Sequence, residues 1–441
     1  MDRATFTPLF DQHPLRQTLN DEVHARPPVP LQTPEFVTYL AFLHEGDSAD
    51  REAGHLRRLA EQLGLPPPQT ASGHVFLDAG EFRLKWERHQ EFTSYTFVRR
   101  VETRDAAGEH ALIEVPANWR QDIPGLLIVA THIELRSVSE VSPETVLSQF
   151  SQTGMTSVAS QLADGGGWVF TDFRITDGFS RFLVLDESLT PRQAGRTVQR
   201  LLEIETYRIM ALLAFPVAKE VRARLSQTEM ELADLMDQMG AAKSPEDERH
   251  VLGRLTTLAA EVERSVARTT YRFGAAAAYY GLVRRRIEDL REVRVKGYPP
   301  VCEFMERRLA PAVDTCATTA RRQEELSSRI ARSSQLLRTR VDLELEHQNQ
   351  ALLAQMNTRS RLQLRLQETV EGLSVVAITY YGSQLVQYIA KGAKDLIAPV
   401  TTEVATAVSI PVIAGLVALG LRRVHHQLAA EGGGAGSNVG H

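Results

Sequence analysis

The chain has 441 residues, of which 43% are hydrophobic and 24% are charged, and its net charge is −5. This length predicts two or three structural units, the composition is that of a folded protein, and the charge argues against binding of nucleic acid. Two cysteines, Cys302 and Cys316, fit a reducing compartment and exclude a cysteine-based zinc site. The opening residues lack the apolar core of a secretory signal.

Residues 1–219 are predicted to form a mixed α/β head. EFVTYLAFLHEG (35–46) is rich in aromatic and β-branched residues and predicts a strand. A helix follows, with Ser48 as its N-cap and Gly64 as its stop. Two or three strands broken near Gly80, and then further strands punctuated by Gly and Asp, are expected next. A helix starting near Pro191 closes the head.

Residues 220–371 are predicted to form a helical stalk or bundle. Ser244, Pro245 and Asp247 have the residue types of a capping box that opens a helix. Beyond GYPP (297–300), apolar residues recur every three or four positions in a coiled-coil-like stripe: Leu326, Ile330, Leu337, Val341, Leu345, Leu352, Met356, Leu362, Leu366 and Val370. A helix of roughly 60 residues would be about 90 Å long; an antiparallel bundle is the alternative.

Residues 372–423 are predicted to form a two-helix transmembrane hairpin, followed by a flexible polar tail at 424–441. Two uncharged stretches, 373–390 and 404–421, are each close to the ~20 residues that span a bilayer. Basic residues before the first and after the second predict that head, stalk and tail are cytoplasmic, in the inner membrane. The alternative is a buried hairpin in a soluble bundle, since Gln384 and Gln387 weaken the first stretch.

The opening motif HPLRQTLNDEVHARPP (13–28) concentrates polar residues on a short predicted helix. Leu15, Leu19 and Val23 are spaced four apart and form one apolar line. A neighbouring polar stripe is a candidate anion or metal site, or a salt-bridge clasp that ties the N-terminus to the head. Its candidate residues are Asn20, Glu22, His24 and Arg26.

A second motif, KWERHQEF (85–92), is expected to lie on a strand. Alternate residues of a strand share a face, so Glu87, His89 and Glu91 are predicted to lie together, opposite Trp86. Their oxygen and nitrogen donors are of the types that bind divalent metals, although the same alternation is typical of a solvated strand face.

The third motif, GRTVQRLLEIETYR (195–208), lies on the helix that closes the head. Arg196, Arg200, Glu203 and Tyr207 recur at three- and four-residue spacing. Arginine and glutamate at such spacing usually pair along one helix; partners for the opening motif are the alternative for Arg200 and Glu203.

The fourth motif, ITYYGSQLVQYI (378–389), places polar residues inside the first predicted span. Tyr380, Tyr381, Gly382, Ser383 and Gln384 are expected to face other helices, with pore lining as the alternative. No phosphate loop, G-x-S-x-G or H-E-x-x-H motif occurs in the chain, so no catalytic residue, metal or cofactor is predicted.

Together, HPLRQTLNDEVHARPP, KWERHQEF, GRTVQRLLEIETYRIMALLAFPVA and AITYYGSQLVQYIAKG resemble a bacterial family of predicted membrane-anchored proteins. It is the domain of unknown function numbered thirty-four twenty-two, and the resemblance spans nearly the whole chain. It implies no known activity. The layout is more loosely similar to CorA-type magnesium channels, but their Tyr-Gly-Met-Asn signature is replaced here by Tyr381-Gly382-Ser383-Gln384 within the first span.

The predicted fold class is therefore α+β: a mixed α/β cytoplasmic head, a long helical coiled-coil-like stalk and a transmembrane hairpin. The predicted function is that of a membrane-anchored, non-enzymatic scaffold or sensor. The alternatives are a CorA-like homo-oligomeric divalent-ion channel or transporter, and a ligand-binding or hydrolytic head. Expected partners are the lipid bilayer, through the hairpin, and further copies of the chain, through stalk and hairpin.

Overall fold

A computed structural model describes residues 10–11, 13–17, 19–20, 27–44, 46, 48–101, 110–153, 157–392 and 401–432. The chain separates into two compact units, Met1–Gln335 and Leu336–His441. The described residues form a mixed α/β fold with a large sheet and a long helix, which confirms the coarse fold class. The predicted boundary at 219/220 lies inside a helix, Ala214–Ala241, within the first unit.

The described part of the first unit contains one nine-stranded sheet. Its strands are β1 Glu35–Leu43, β2 His74–Asp78, β3 Arg83–Arg88, β4 Phe92–Arg100, β5 Leu126–Ser137, β6 Val158–Leu162, β7 Gly167–Thr176, β8 Phe179–Asp186 and β9 Val293–Arg294. They lie in the order β2-β3-β4-β1-β5-β8-β7-β6-β9. Strands β5 and β8 are parallel, and the other neighbouring pairs are antiparallel.

Helices connect and cover these strands. Those that begin in the first unit are α1 Ala49–Gln62, α2 Ala117–Gln121, α3 Pro143–Thr153, α4 Pro191–Leu212, α5 Ala214–Ala241, α6 Pro245–Leu290, α7 Val301–Arg308 and α8 Ala310–Gly392, and a short 3₁₀ turn spans Ala163–Gly165. The expected strands at 35–46 and around Gly80 are confirmed, the latter as three strands. Pro216 lies in the first turn of α5, where a proline is tolerated.

Strand alternation gives the sheet two different faces. Val37, Tyr39 and Ala41 of β1 point to a core formed with α4, α6 and α7, which we call the helix face. Phe36 and Phe42 point the other way, into a core of aromatic residues closed by α1 and α2, which we call the aromatic face. The two faces of these strands therefore belong to separate cores.

Local signals fix the ends of the main helices. The predicted capping box of α6 is present, with the Ser244 side chain accepting from the backbone N–H of Asp247. A second box, Thr190 with Gln193, opens α4. Ser48 precedes α1 as predicted, but its hydroxyl makes no cap and instead donates to the Glu52 carboxylate. This hydrogen bond places Glu52 in the aromatic face.

Helices α5, α6 and the first part of α8 pack together in the first unit. Leu232, Leu255 and Leu326 are among the residues buried in this bundle. Gln323 of α8 accepts a hydrogen bond from Thr269 of α6 at 3.2 Å, and Arg322 pairs with Glu229 of α5 at 2.7 Å. Part of the predicted stalk, up to Gln335, is therefore an ordinary helical bundle.

The second unit contains the rest of α8 and α9, Thr402–Gly432. The apolar side chains of α8 beyond its entry into this unit are largely exposed, including Leu343, Leu352, Leu362 and Leu366. A β-carbon added to Gly382 would lie 3.2 Å from Ile413 Cδ1, so α8 and α9 approach closely there. Among the described residues, one helix is long and apolar enough to cross a membrane, Glu403–Gly420, and none of that window is buried.

Candidate ligand-binding cavity

A cavity of about 270 Å³ lies on the helix face, between strands β1, β3 and β4 and helices α4 and α6. Its polar lining residues are Tyr39, Lys85, Glu87, His89, Ser94, Thr96, Gln199, Glu203, Thr206, Tyr207 and Arg286. Valine, leucine and phenylalanine side chains of the helix-face core complete the wall. The cavity therefore combines an apolar wall with charged groups from three different elements, as small-molecule sites do.

Strand β3 supplies one ion pair of the cavity. Its alternation sends Leu84 and Trp86 into the aromatic face and Lys85 and Glu87 into the cavity. Lys85 Nζ lies 3.0 Å from Glu87 Oε1, and the two residues are only 7% and 8% exposed. Buried charges need a partner, and each of these two side chains supplies the opposite charge for the other.

Helices α4 and α6 supply a second ion pair. Glu203 of α4 is paired with Arg286 of α6. Gln199, one turn before Glu203, donates from Nε2 to Glu203 Oε1 at 2.8 Å. Its own Oε1 lies 3.5 Å from Lys85 Nζ, the longest of the contacts that join Glu87 to Glu203. Gln199 thus links the pair on the strand to the pair on the helices.

The polar chain continues away from the cavity to Asp289 and Arg200. Arg286 Nη1 lies 3.3 Å from Asp289 Oδ2, and Arg200 Nε lies 3.9 Å from that oxygen. Burial lowers the pKa of Arg286, but the charge and hydrogen bond of Glu203 more than offset it, so the pKa is raised. For Arg200, burial lowers the pKa by more than the negative charge of Asp289 raises it, so the pKa is lowered.

The predicted pairing of Arg200 with Glu203 along α4 is wrong. These two side chains point to different neighbours, Glu203 to Arg286 and Arg200 to Asp289. Both neighbours lie on α6, which packs against α4, and a partner held by packing competes with the local i,i+3 contact. Arg200 and Glu203 therefore contact a second helix, whereas Glu205 and Arg208 of the same motif pair along α4 at 2.6 Å.

The predicted Glu87–His89–Glu91 face is only partly formed, because β3 ends at Arg88. His89 lines the cavity and stacks on Phe92 with ring centroids 4.4 Å apart. Glu91 instead pairs with Arg272 of α6. Among the described residues, no group of three or more His, Cys, Asp and Glu side chains is placed to hold a metal ion.

Hydroxyl groups line the base of the cavity. The Thr206 hydroxyl donates to the Leu202 carbonyl oxygen at 2.8 Å, and its oxygen lies 3.0 Å from Tyr39 OH. Burial raises the pKa of the Tyr39 phenol, so this group stays protonated. The cavity thus offers neutral hydrogen-bonding groups beside its two ion pairs.

The segment that follows the opening motif forms part of the cavity rim. Val29 and Leu31 line it, and the Leu31 N–H donates to the Pro191 carbonyl at 3.0 Å. A β-carbon on Gly195 of α4 would lie 2.0 Å from the Val29 carbonyl oxygen, so only glycine admits this crossing. The chain is held against α4 at this point.

The opening motif itself is only partly described. Asn20 is helical, and nearby Leu15 and Leu19 are 53% and 61% exposed. Glu22, His24 and Arg26 lie outside the described residues, so the clasp stays a prediction.

Some polar residues of the first predicted span are exposed, and others pack against neighbouring residues. Tyr380 and Tyr381 are exposed, whereas Ser383 is buried and donates to the Tyr380 carbonyl at 2.8 Å. Gln384 is half-buried, and Gly382 faces Ile413 of α9. Gly382 and Ser383 therefore serve helix packing within one chain.

Residues 11–428 match a family described as Protein of unknown function (DUF3422). The chain belongs to this family. The resemblance drawn from the four motifs is thereby confirmed, and the similarity to CorA-type channels stays a prediction. Neither the curated proteins nor the solved structures contain a match to this DUF3422 chain.

Sequence reasoning missed four members of the polar chain in this DUF3422 protein: Lys85, Gln199, Arg286 and Asp289. Lys85 could have been predicted from the sequence, because strand alternation places it on the same face as Glu87. Gln199 likewise lies one turn from Glu203. Arg286 ends the run Arg284-Arg285-Arg286, and periodicity alone does not say which arginine faces α4.

A second polar cluster, on the aromatic face, also escaped prediction. Glu52 of α1 is 1% exposed and accepts from Thr93 Oγ1 at 2.7 Å, while Arg88 Nε lies 3.5 Å away. His44 Nε2 lies 2.9 Å from the same Thr93 hydroxyl, and burial lowers the pKa of His44. Because these groups contact one another in a packed core, the cluster fits a structural role.

Proposed function

We propose that this protein is a membrane-anchored, non-enzymatic sensor or scaffold of the inner membrane. Its first unit carries the ligand cavity in the cytoplasm, and its C-terminal helices enter the bilayer as a hairpin. The proposal keeps the ligand-binding alternative as the activity of the head. The anchor rests on one observation, the exposed apolar surface of the C-terminal helices.

Large apolar side chains cover the outside of both C-terminal helices. The exposed ones are Leu373, Val376, Ile378, Leu385, Ile389, Val404, Val408, Ile410, Val412, Leu416 and Leu419. Surface of this kind is unfavourable in water and marks a membrane or protein contact. An 18-residue window at Glu403–Gly420 rises about 27 Å as a helix, which matches a hydrocarbon core of about 30 Å.

Flanking charges support the proposed orientation. Arg361 and Arg365 precede the first apolar stretch, and Arg422 and Arg423 follow the second. Positive residues are retained on the cytoplasmic side of short membrane segments. Both outer ends of the hairpin, and with them the head, are therefore assigned to the cytoplasm.

The cavity supports binding rather than catalysis. Lys85 and Arg286 each hold a carboxylate, Glu87 and Glu203. A general base or nucleophile needs a free or activated group within reach of the substrate, and these groups neutralise one another instead. A sensor that binds without reaction is the function this arrangement favours.

A CorA-like channel is the second candidate, and the exposed stalk favours its oligomeric part. Leu345, Leu352, Leu366 and Leu373 are seven or fourteen residues apart, and Leu345, Leu352 and Leu366 are 41%, 58% and 66% exposed. This spacing is that of a self-associating helix. The packing of Gly382 on Ile413, however, supports a hairpin closed within each chain rather than a pore.

Membrane extraction tests the anchor. We expect the full chain to stay in the membrane pellet after a carbonate wash and a chain lacking 372–423 to be released. Val412→Arg places a charge near the middle of the span, where insertion costs about 2.5–3.5 kcal/mol. It should weaken retention, whereas the control Leu352→Arg on the stalk should not. Release of the intact protein by carbonate would contradict the proposal of a membrane anchor.

Crosslinking separates the anchor from the channel. With Cys302 and Cys316 replaced by serine, we expect cysteines at Gly382 and Ile413 to crosslink within one chain. Cysteines at Ser383 or Gln384 should give no symmetric crosslinks between subunits, and liposomes carrying the protein should show no divalent-ion flux. Symmetric crosslinks together with ion flux would contradict the sensor proposal and favour the channel.

A further inference from the structure

We infer that the cavity binds a small zwitterion that carries one ammonium and one carboxylate group, of which a free α-amino acid is the simplest kind. The inference rests on the proposed function in that it takes the first unit to be the ligand-binding part of the protein. Three properties of the four charged groups in the cavity support it: their charges sum to zero, they lie on different elements, and polar contacts join the two ion pairs.

The charges in the cavity cancel. Lys85 and Arg286 contribute two positive charges, and Glu87 and Glu203 contribute two negative ones. A ligand with net charge would leave an unmatched charge in a largely desolvated space, which is costly. Phosphates and diamines are therefore disfavoured. A zwitterion preserves the balance and still forms charge-assisted hydrogen bonds.

Each sign of charge is presented by two different elements. The pair on β3 and the pair between α4 and α6 face the same cavity, so an acid and a base are available on both the sheet side and the helix side. An ammonium group can bind Glu87 or Glu203 while the carboxylate of the same molecule binds Lys85 or Arg286. A fatty acid would use only the two cations, and a neutral sugar would form no ion pair with either sign of charge.

The longest contact on the path from Glu87 to Glu203 marks where the ligand enters. Lys85 Nζ and Gln199 Oε1 are 3.5 Å apart, beyond the usual range of about 2.7–3.2 Å for such a bond. Every other contact between Glu87 and Glu203 is 3.0 Å or shorter. A ligand inserted at this junction loses little existing bonding and gains contacts to both ion pairs.

The size and wall of the cavity limit the rest of the ligand. A volume of about 270 Å³ lies just below the range of about 300–1,000 Å³ that holds drug-sized molecules. Val37, Val198 and Leu202 form part of the wall and suit a short apolar substituent. An amino acid with an aliphatic side chain combines this substituent with the required ammonium and carboxylate.

Equilibrium dialysis of the full chain in detergent tests the inference. The probes are radiolabelled L-valine, L-leucine and L-alanine, with L-leucine methyl ester, isoamylamine and inorganic phosphate as matched compounds that each lack a required feature. We expect at least one amino acid to bind. Its ester and its amine should bind at least tenfold more weakly, and phosphate should not compete.

Variants place the binding in the cavity. Glu203→Gln and Lys85→Met remove one charge each and should weaken amino-acid binding at least tenfold. Thr96→Phe, which fills the cavity from a strand position that accepts aromatic residues, should abolish binding even if a charge variant folds poorly. Glu231→Gln removes the exposed pair with Arg254 in the bundle (2.6 Å) and should leave binding unchanged. Circular dichroism checks folding.

Three results overturn the inference. The first is the absence of amino-acid binding by folded protein, and the second is equal binding of ester, amine or phosphate. Membrane retention is measured on the same preparations. A failure to bind amino acids would then leave the membrane-anchor proposal intact, and release of the protein by carbonate would leave the binding result intact. Binding that survives Thr96→Phe also overturns the inference, since the ligand then lies elsewhere.

Discussion

The two faces of the sheet at β3, β4 and β1 come from alternate residues of the same strands, yet one face is packed solid and the other is hollow. Trp86, Tyr95 and Phe97 fill the aromatic face and are at most 2% exposed. Lys85 and Glu87, their neighbours along or across the strands, line a cavity. Alternation decides which residues share a face, whereas side-chain volume and the covering helices decide whether that face closes.

The largest effect is expected on the aromatic face. Trp86→Ala removes one of the two tryptophan side chains buried in this core, and such truncations cost about 3–5 kcal/mol. Native-state hydrogen exchange of β4 amides measures the loss without assuming two-state unfolding of the whole chain. Phe76→Ala, at a position of β2 that is 53% exposed, is the control and should cost less than about 0.5 kcal/mol. Equal effects would show that Trp86 is not part of a tightly packed core.

The cavity face should respond differently to a double change than to a single one. Lys85→Met leaves the Glu87 carboxylate without its partner, and such losses cost about 3–5 kcal/mol in dry cores. We expect about 2–3 kcal/mol, because the cavity can admit water. The double variant Lys85→Met/Glu87→Leu should recover most of this loss. If the double variant were as unstable as the sum of the single ones, the pair would not be coupled.

A pair of glycine substitutions tests how firmly the rim of the cavity is held. Gly195→Ala forces the Val29 segment away from α4, because the new β-carbon would lie 2.0 Å from its carbonyl oxygen. We expect a loss of about 1–2 kcal/mol, although alanine is intrinsically better in a helix by about 0.5–1 kcal/mol. Gly253→Ala in α6, with nothing within 4 Å, should instead stabilise. Stabilisation by both substitutions would contradict the close crossing.

Sequence patterns predicted the local parts of this structure and missed its long-range pairing. The β1 strand and the Ser244–Asp247 capping box depend on neighbouring residues, and both are present. The parallel contact of β5 with β8 joins strands separated by a helix and two other strands, and no local signal specifies it.

The same limit applies to the candidate site. Glu87, His89 and Glu203 were singled out from their motifs and do line one cavity, but nothing in either motif predicted that they would meet. The contacts that join them span 114 residues from Lys85 to Gln199 and 83 from Glu203 to Arg286. Whether residues so far apart in the sequence meet depends on how α4 and α6 pack on the sheet.

The smallest expected effect concerns a half-buried histidine on the aromatic side of the sheet. His132 of β5 stacks on Phe179 with ring centroids 3.9 Å apart, and its Nδ1 lies 2.9 Å from Thr38 Oγ1. Burial, with further contributions from His110 and Arg181, lowers the pKa of His132 to about 3. The folded protein therefore keeps this ring neutral at pH values where an unfolded chain protonates it.

The sign of the pH dependence follows from this difference. Below the ordinary histidine pKa of 6.5, the unfolded chain takes up a proton that the folded chain refuses, so stability falls between about pH 6.5 and pH 3. His132→Gln keeps a hydrogen-bonding group for Thr38 but does not titrate. Relative to the variant, the wild type should lose about 1 kcal/mol between pH 7 and pH 4, because partial exposure reduces the full linkage effect. Hydrogen exchange of β5 amides at the two pH values measures this difference, and parallel pH profiles for the two proteins would show that the folded state accepts the proton on His132 as readily as the unfolded chain does.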